Sequence, residues 1–265
     1  MFSHIDTIAP LIRETAATEI LPRFERLEAA DIHEKGPGDL VTVADLASER
    51  MLTQRLRDLV PGALIVGEEA TAADAAVLDR LTGDEPVFVI DPIDGTSNFA
   101  AGIPLFAVMV AYVRGGEILA SWIYDPVRDL MAEARAGAGA TLNGRPIRVA
   151  PTTTPENMSG SFSVRYGNRQ LVRKIAGRSN LVGSTFSFRC AGQEYLAMAS
   201  GKVHFALYHR LMPWDHAPGW LLHREAGGFS RRLDQSAYSP RHLDGGLLLA
   251  PDETSWQALH AVLIG

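Results

Sequence analysis

Asp91-Pro92-Ile93-Asp94-Gly95-Thr96-Ser97-Asn98-Phe99 follows Val87-Phe88-Val89-Ile90, an apolar, β-branched and aromatic run of the kind that makes a fully buried strand. Such a strand delivers Asp91 to the edge of a sheet, where Pro92, lacking an N–H, is expected to stop the ladder. Asp94, Gly95 and two hydroxyls come next. Two carboxylates fixed at a strand end, beside a tight glycine turn with free backbone N–H groups, suit a hard cation and a phosphate. The same letters also fit a plain strand and an Asp/Pro/Gly turn, so the rest of the chain has to decide.

Working outward, Ala63-Leu64-Ile65-Val66 reads as a second short strand, ending at Gly67-Glu68-Glu69. A weak helix over 72–81 links it to the first. Upstream, Ile5, Ile8, Leu11, Ile12, Ile20, Leu21, Phe24 and Leu27 recur at helical spacing, so residues 4–29 read as one amphipathic helix or two, bent at Pro10 and Pro22. A polar loop carrying Lys35 leads to Leu40–Asp45 and a helix through about Leu59, with Leu46, Met51, Leu52 and Leu56 inward.

Downstream the period changes to strands over 105–113, 118–124 and 130–136, joined by hairpin-type turns, and Asn143-Gly144 is a type I′ signal before a strand at 147–149. Ala150–Asn157, rich in Pro and Thr, divides an N-terminal half, 1–150, from a C-terminal half, 151–265. In the second half strands are expected near 161–164, 181–182, 203–208 and 247–250. Helices are expected near 168–176, 192–200, 214–225 and 251–264.

The 265 residues are 46% hydrophobic and 21% charged, an ordinary globular composition with a core of useful size. Net charge is −6 with no block of Lys or Arg, which argues against nucleic acid as the main ligand. One cysteine, Cys190, allows neither an internal disulfide nor a thiolate metal cage, and fits a reducing cytoplasm. The first residues lack the pattern of a secretory signal, and the longest apolar run, 105–113, is half the length of a membrane span.

Three acidic features align. Glu68 and Asp91 each end a short apolar strand, and neighbouring parallel strands would put them side by side. Asp215, after Pro213-Trp214, opens a helix whose dipole favours a carboxylate there, although a simple N-cap would explain it equally. Glu68-Glu69 also reads as a solvated acidic pair, and Thr42 with Asp45 as a cap on the second helix. Two like charges 4 Å apart repel by about 4 kcal/mol at an effective dielectric near 20. A cluster of Glu68, Asp91, Asp94 and Asp215 therefore requires cations, and Mg²⁺ matches a set of carboxylates with no competing His or Cys cluster.

At this point the chain resembles the inositol monophosphatase family of Mg²⁺-dependent, lithium-sensitive phosphatases. The resemblance rests on Asp39-Leu40-Val41-Thr42-Val43-Ala44-Asp45, on Gly67-Glu68-Glu69, on Asp91–Phe99, and on Trp214-Asp215-His216-Ala217-Pro218-Gly219 running to Glu225-Ala226-Gly227-Gly228. It implies an α/β fold, a layered αβαβα sandwich of the inositol monophosphatase and fructose-1,6-bisphosphatase type, with the site between the halves. It further implies two to three Mg²⁺ ions: Glu68, Asp91 and the Ile93 carbonyl for one, Asp91, Asp94 and Asp215 for a second, and Glu68 helping a third. Catalysis falls to Asp45 and Thr96, which activate a water, with Glu68 beside them; the Gly95 and Thr96 amides hold the phosphate, and Ser97 and Asp215 join the substrate contacts. Homodimers are common in the family.

The resemblance fails in one place. Where these phosphatases place a Glu for substrate hydroxyls, seven residues before the metal-binding Asp, this chain has Tyr208, then His209 and Arg210. The loop that usually reads Gly-Ser/Thr-Ala-Ala-x-Asp reads Arg189-Cys190-Ala191-Gly192-Gln193-Glu194. Arg189, Glu194, Tyr208, His209 and Arg210 are therefore expected to set specificity, so that inositol 1-phosphate need not be the preferred ester. Histidinol phosphate and sugar bisphosphates are the alternatives within the family. A non-catalytic regulator bound to the transcription machinery is the alternative outside it.

Overall fold

A computed structural model of the chain describes residues 5–36, 38–162 and 169–265. The strand expected near 161–164 and the helix expected near 168–176 thus lie partly outside the described residues, as does the first residue of the helix expected over 4–29. Fourteen strands are described: β1 Ile32–Gly36, β2 Asp39–Thr42, β3 Leu64–Gly67, β4 Val87–Asp94, β5 Ala107–Arg114, β6 Glu117–Asp125, β7 Leu130–Arg135, β8 Gly139–Leu142, β9 Arg145–Pro146, β10 Ser159–Phe162, β11 Ser184–Phe186, β12 Phe205–Tyr208, β13 Phe229–Arg232 and β14 Leu247–Ala250. The α-helices are α1 Ile8–Thr15, α2 Val43–Leu59, α3 Glu68–Ala73, α4 Thr96–Ala100, α5 Arg169–Ala176, α6 Ala191–Ala199, α7 Pro213–Glu225 and α8 Glu253–Leu263.

β1 and β2 form a hairpin. β3 to β9 form a seven-stranded sheet in chain order, and the five-stranded sheet runs β11-β10-β12-β14-β13. In the large sheet β3 and β4 are parallel and the remaining pairs antiparallel.

Strand alternation divides the core. Phe88, Ile90, Val108 and Val110 face the first layer with Ile8, Ile12, Leu52 and Leu56 of α1 and α2. Val89, Ala107, Met109 and Ala111 face α6 and α7 through Tyr195, Leu196, Ala217 and Leu221. Those helices meet Ala206, Leu247 and Leu249 of the small sheet on their other side. Phe205, Leu207, Leu248 and Ala250 point the opposite way, against Ile175 of α5 and Trp256 and Leu259 of α8. The order of layers is α, seven-stranded sheet, α, five-stranded sheet, α: the expected sandwich.

Several local expectations change. Pro92 does not stop its strand: β4 runs on to Asp94 through a bulge, pairing Asp91 with Met109 and Asp94 with Ala107, so the missing N–H falls where the ladder is already broken. Pro10 does not bend α1, because it lies in the first turn, where an N–H has no intrahelical acceptor. That helical segment closes at Ile20 in a π-type turn. Leu46 is 43% exposed and no part of the inner face of α2. Glu68-Glu69 begins a helix rather than ending a strand. Residues 179–181 form a 3₁₀ turn, the strand following at Ser184–Phe186. The strand expected at 147–149 is only the two-residue β9 before it, and β13, whose polar Ser-Arg-Arg gives no apolar signal, was not anticipated. Asn143 and Gly144 have φ of 46° and 75°, the left-handed pair that the expected type I′ turn requires.

Candidate functional site

The parallel register of β3 and β4 pairs Gly67 with Ile90, so the next residues on each strand, Glu68 and Asp91, emerge together at the sheet end. Four residues beyond Asp91, Gly95 takes φ +87°, left-handed backbone that a side chain would strain, and N-caps the short α4. Thr96 and Ser97 occupy the first turn, where helical N–H groups lack intrahelical acceptors. From the far side α7 delivers Asp215 in its first turn. The N-cap itself is Met212, so the capping role that Asp215 could have played is not used.

These elements line a cavity of about 380 Å³, with Glu68, Asp91, Ile93, Asp94, Gly95, Thr96, Ser97 and Asp215 in its lining. Carboxylate oxygens of Asp91, Asp94 and Asp215 lie within 4.8 Å of one another. Burial, then the neighbouring charges of Glu68, Asp94 and Asp215, hold Asp91 well above the usual carboxylate range. Asp215 is pushed up to about 8 by burial, then by Asp94 and Glu68. Asp94 rises only to about 6, because Cys190 and the backbone N–H groups of Gly192 and Ala191 offset its burial.

Asp91 Oδ1 is buried and without a hydrogen-bond partner. Such an oxygen is costly unless something positive completes it. Three convergent carboxylates and an orphaned oxygen, with only oxygen donors, fit a hard divalent cation.

Asp45 divides its two oxygens. Oδ2 accepts from the Thr42 N–H at 2.8 Å and from the Thr42 hydroxyl at 2.6 Å, closing a capping box at the start of α2. Oδ1 stands 3.2 Å from Thr96 Oγ1, which also reaches the Ile93 carbonyl at 3.0 Å. The cap and the link to the site are both real, and the same carboxylate makes them. Burial raises Asp45 to about 7 despite the Thr42 hydrogen bonds.

Other contacts were not anticipated. Lys35 donates to Glu68 at 2.7 Å and to Glu69 at 2.9 Å; burial alone would lower this ammonium, but the two carboxylates outweigh it. Glu49 caps α3, accepting from the Glu69 and Ala70 N–H groups at 2.8 Å. Cys190 is buried, as expected of a small apolar side chain, yet its thiol reaches Asp94 Oδ2 at 3.0 Å, and the Gly192 N–H reaches the same oxygen at 2.5 Å. The start of α6 thus grips one of the three carboxylates. The sequence reading places Lys35 only in a polar loop, whereas the structure puts it on β1.

The rest of the cavity's lining, its second wall, includes Arg189, Glu194, Tyr208, Arg210 and His216. Glu194 is raised to about 7 by burial and accepts from the Phe188 N–H at 3.0 Å. Ser161 and Tyr208 stand near enough to favour its ionised form, but neither hydroxyl completes an aligned hydrogen bond. His216 Nε2 faces the Arg210 carbonyl at 2.9 Å and must donate to it. Its Nδ1 therefore accepts from the Tyr195 hydroxyl at 3.1 Å. His209, the remaining residue of the set, is buried but does not line the cavity.

The comparisons with known proteins agree with this geometry. The family model for the inositol monophosphatase family matches residues 3–264. A Pseudomonas aeruginosa protein named Nus factor SuhB is 32% identical, covering 95% of this chain and 93% of that one. An inositol-1-monophosphatase of Rhizobium meliloti is 30% identical over 91% of this chain and 88% of its own. Among solved structures, the extragenic suppressor protein SuhB of Bartonella henselae superposes with a TM-score of 0.82 at 26% identity, covering 99% of this chain and 98% of that one. A Thermotoga maritima IMPase gives 0.80 at 26%, covering 97% and 93%. With its motifs, its layers and its relatives in accord over nearly the whole length, this chain belongs to the inositol monophosphatase family.

Proposed function

We propose that the protein is a Mg²⁺-dependent phosphatase that hydrolyses a small phosphate monoester, inositol monophosphate-like in kind, and releases inorganic phosphate. The observation that carries this reading is the convergent trio of buried Asp91 and Asp94 with half-buried Asp215, one Asp91 oxygen orphaned, in one cavity with Thr96, which reaches Asp45. Two to three Mg²⁺ ions, held by Glu68, Asp91, the Ile93 carbonyl, Asp94 and Asp215, would neutralise phosphoryl charge and acidify a water.

The chain's own groups supply the rest. The N–H groups of the N-cap Gly95 and of Thr96 in the first turn, with Ser97, bind and orient the phosphate. Thr96 Oγ1, 3.2 Å from Asp45 Oδ1, takes the proton of the attacking water as it passes its own proton to that carboxylate oxygen. The water oxygen forms the new bond to phosphorus as the ester P–O bond breaks, and the alcohol leaves with a proton from solvent. Residues 1–150 provide most of these groups, and residues 151–265 provide Asp215 and the specificity wall of Arg189, Glu194 and Tyr208, as one phosphatase unit. A cytoplasmic homodimer is part of the same reading. No helix among the described residues is long and apolar enough to cross a membrane.

The test is phosphate release from a panel of small monoesters and bisphosphates with Mg²⁺, abolished by EDTA and by Asp91→Asn. Activity that survives Asp91→Asn unchanged overturns the metal assignment. A second reading, a regulator of transcription, is favoured by the Nus-factor name of the Pseudomonas aeruginosa relative. A chain that hydrolyses no ester yet captures RNA polymerase is the result it requires.

A further inference from the structure

The second wall of the cavity has a feature that phosphate hydrolysis by itself does not need. Arg189 lines the cavity with φ of +54°, in the left-handed region that glycine tolerates and an arginine does not adopt without strain. The backbone on either side leaves it little choice. The Phe188 N–H donates to Glu194 Oε1 at 3.0 Å, the Phe188 carbonyl accepts from Asn98 Nδ2 at 2.8 Å, and the next residue, Cys190, contacts Asp94. Glycine would relieve the strain. An arginine there keeps a guanidinium at the cavity mouth.

Arg210 is the second cation of this wall, and it too stands on a fixed support. Its carbonyl is held by the Tyr195–His216 hydrogen-bond chain, and the His216 ring packs 4.6 Å from that of Tyr208. Arg210 also acts electrostatically on Asp215, with which it lines the cavity. Glu194, by contrast, already serves the Phe188 N–H and faces Ser161 and Tyr208, which leaves it poorly placed to accept hydroxyls from a polyol. A cavity of about 380 Å³ falls in the range of small-molecule sites and has room for more than a phosphate.

We propose that Arg189 and Arg210 form an anion subsite, and that the preferred substrate is a phosphate monoester whose alcohol carries a second anionic group, a carboxylate or a second phosphate. This rests on the phosphatase reading above and narrows its substrate class. Guanidinium groups match either oxyanion through paired N–H donors, and they disfavour an alcohol that carries an ammonium, such as histidinol.

The experiment compares inositol 1-phosphate, histidinol phosphate, 3-phosphoglycerate and fructose 1,6-bisphosphate. At least one of the last two should exceed both of the others by fivefold or more in kcat/KM, and whichever leads identifies the second anion as carboxylate or phosphate. In Arg189→Gly and Arg210→Met that ratio should fall at least fivefold. Arg189→Gly should meanwhile keep or raise Tm, because it relieves the strained backbone, so that a lost ratio cannot be a folding defect. The same ratio is read without turnover as dissociation constants by calorimetry, in an Asp45→Asn background. A lower wild-type ratio overturns the proposal. So does a ratio unmoved by both substitutions, which would mean that the arginines serve only the common phosphate. If no ester is hydrolysed, the phosphatase reading fails, while the ratio of dissociation constants for the intact wild-type chain still decides the subsite.

Discussion

The two walls of the cavity are built on opposite principles. The acid wall is anchored by backbone: parallel register sets Glu68 beside Asp91, a bulge carries Asp94 on, a left-handed glycine starts α4, and the first turn of α7 presents Asp215. Asp94 is held by Cys190 and Gly192 and Glu68 by Lys35, while Asp91 Oδ1 has no hydrogen-bond partner. The opposite wall is anchored by side chains: Glu194, Tyr195 and His216 spend their polar atoms holding the loops that carry Arg189 and Arg210. One wall leaves a buried carboxylate oxygen for a ligand to complete, and the other commits Glu194, Tyr195 and His216 to the backbone that carries its charges. The first arrangement suits a reaction, and the second suits a choice of substrate.

The largest expected effect comes from breaking the acid wall. Asp91→Asn should lower kcat/KM by about 10³-fold or more, about 4 kcal/mol of transition-state stabilisation, in a Mg²⁺-dependent phosphate-release assay. A smaller loss would mean that Asp94 and Asp215 suffice without it.

Next is the carboxyl buried in the other wall. Glu194 has a folded pKa of about 7 against an ordinary 4.5, so the native state holds its proton longer than the unfolded chain does. Its contribution to stability is then fully present below about pH 4.5 and is lost as pH rises through about 7. The loss amounts to at most about 3 kcal/mol. Glu194→Gln keeps an acceptor for Phe188 and should remove that slope, which urea unfolding of both proteins at pH 5 and pH 8 will show. Parallel pH dependences would place Glu194 outside the network assigned to it.

Thr96→Ala should cost about 10²-fold in kcat with little change in KM, since it removes a proton acceptor and not a binding group. The smallest effect is expected where the walls touch. Cys190→Ala removes the thiol from Asp94 but leaves the Gly192 N–H in place, and should raise the half-saturating Mg²⁺ concentration about tenfold at near-normal kcat. No change would mean that the amide alone holds Asp94.

The acid wall was far more legible in the sequence than its counterpart. Asp91, Asp94, Gly95 and Thr96 are contiguous, and Glu68 needed only the inference that two apolar strands run side by side. The support for Arg210 could not be read, because Tyr195, His216 and Arg210 meet only through the stacking of α6 on α7 and say nothing at their spacing in the chain. Lys35 and Cys190 were visible as residue types, yet what they touch depends on the β1–β2 hairpin and on the start of α6. Local misreadings have similar causes. Leu46 is apolar but falls on the solvent side of α2, and β13 is strand by its pairing with β14 rather than by any hydrophobic pattern.

Asp45 has a bearing on how such chains tolerate change. One of its oxygens closes the start of α2 and the other steers Thr96, so a screen for folded protein and a screen for activity would both retain it, for unrelated reasons. Asparagine separates the two demands. Its carbonyl oxygen can still accept from the Thr42 N–H, while its amide turns a donor towards Thr96, forcing that hydroxyl to point its hydrogen at the Ile93 carbonyl instead. A chain carrying Asp45→Asn should therefore be as soluble as its parent, with a proton path running backwards. Silent copies of this fold could arise by that one step and persist unnoticed in any assay that scores only folding.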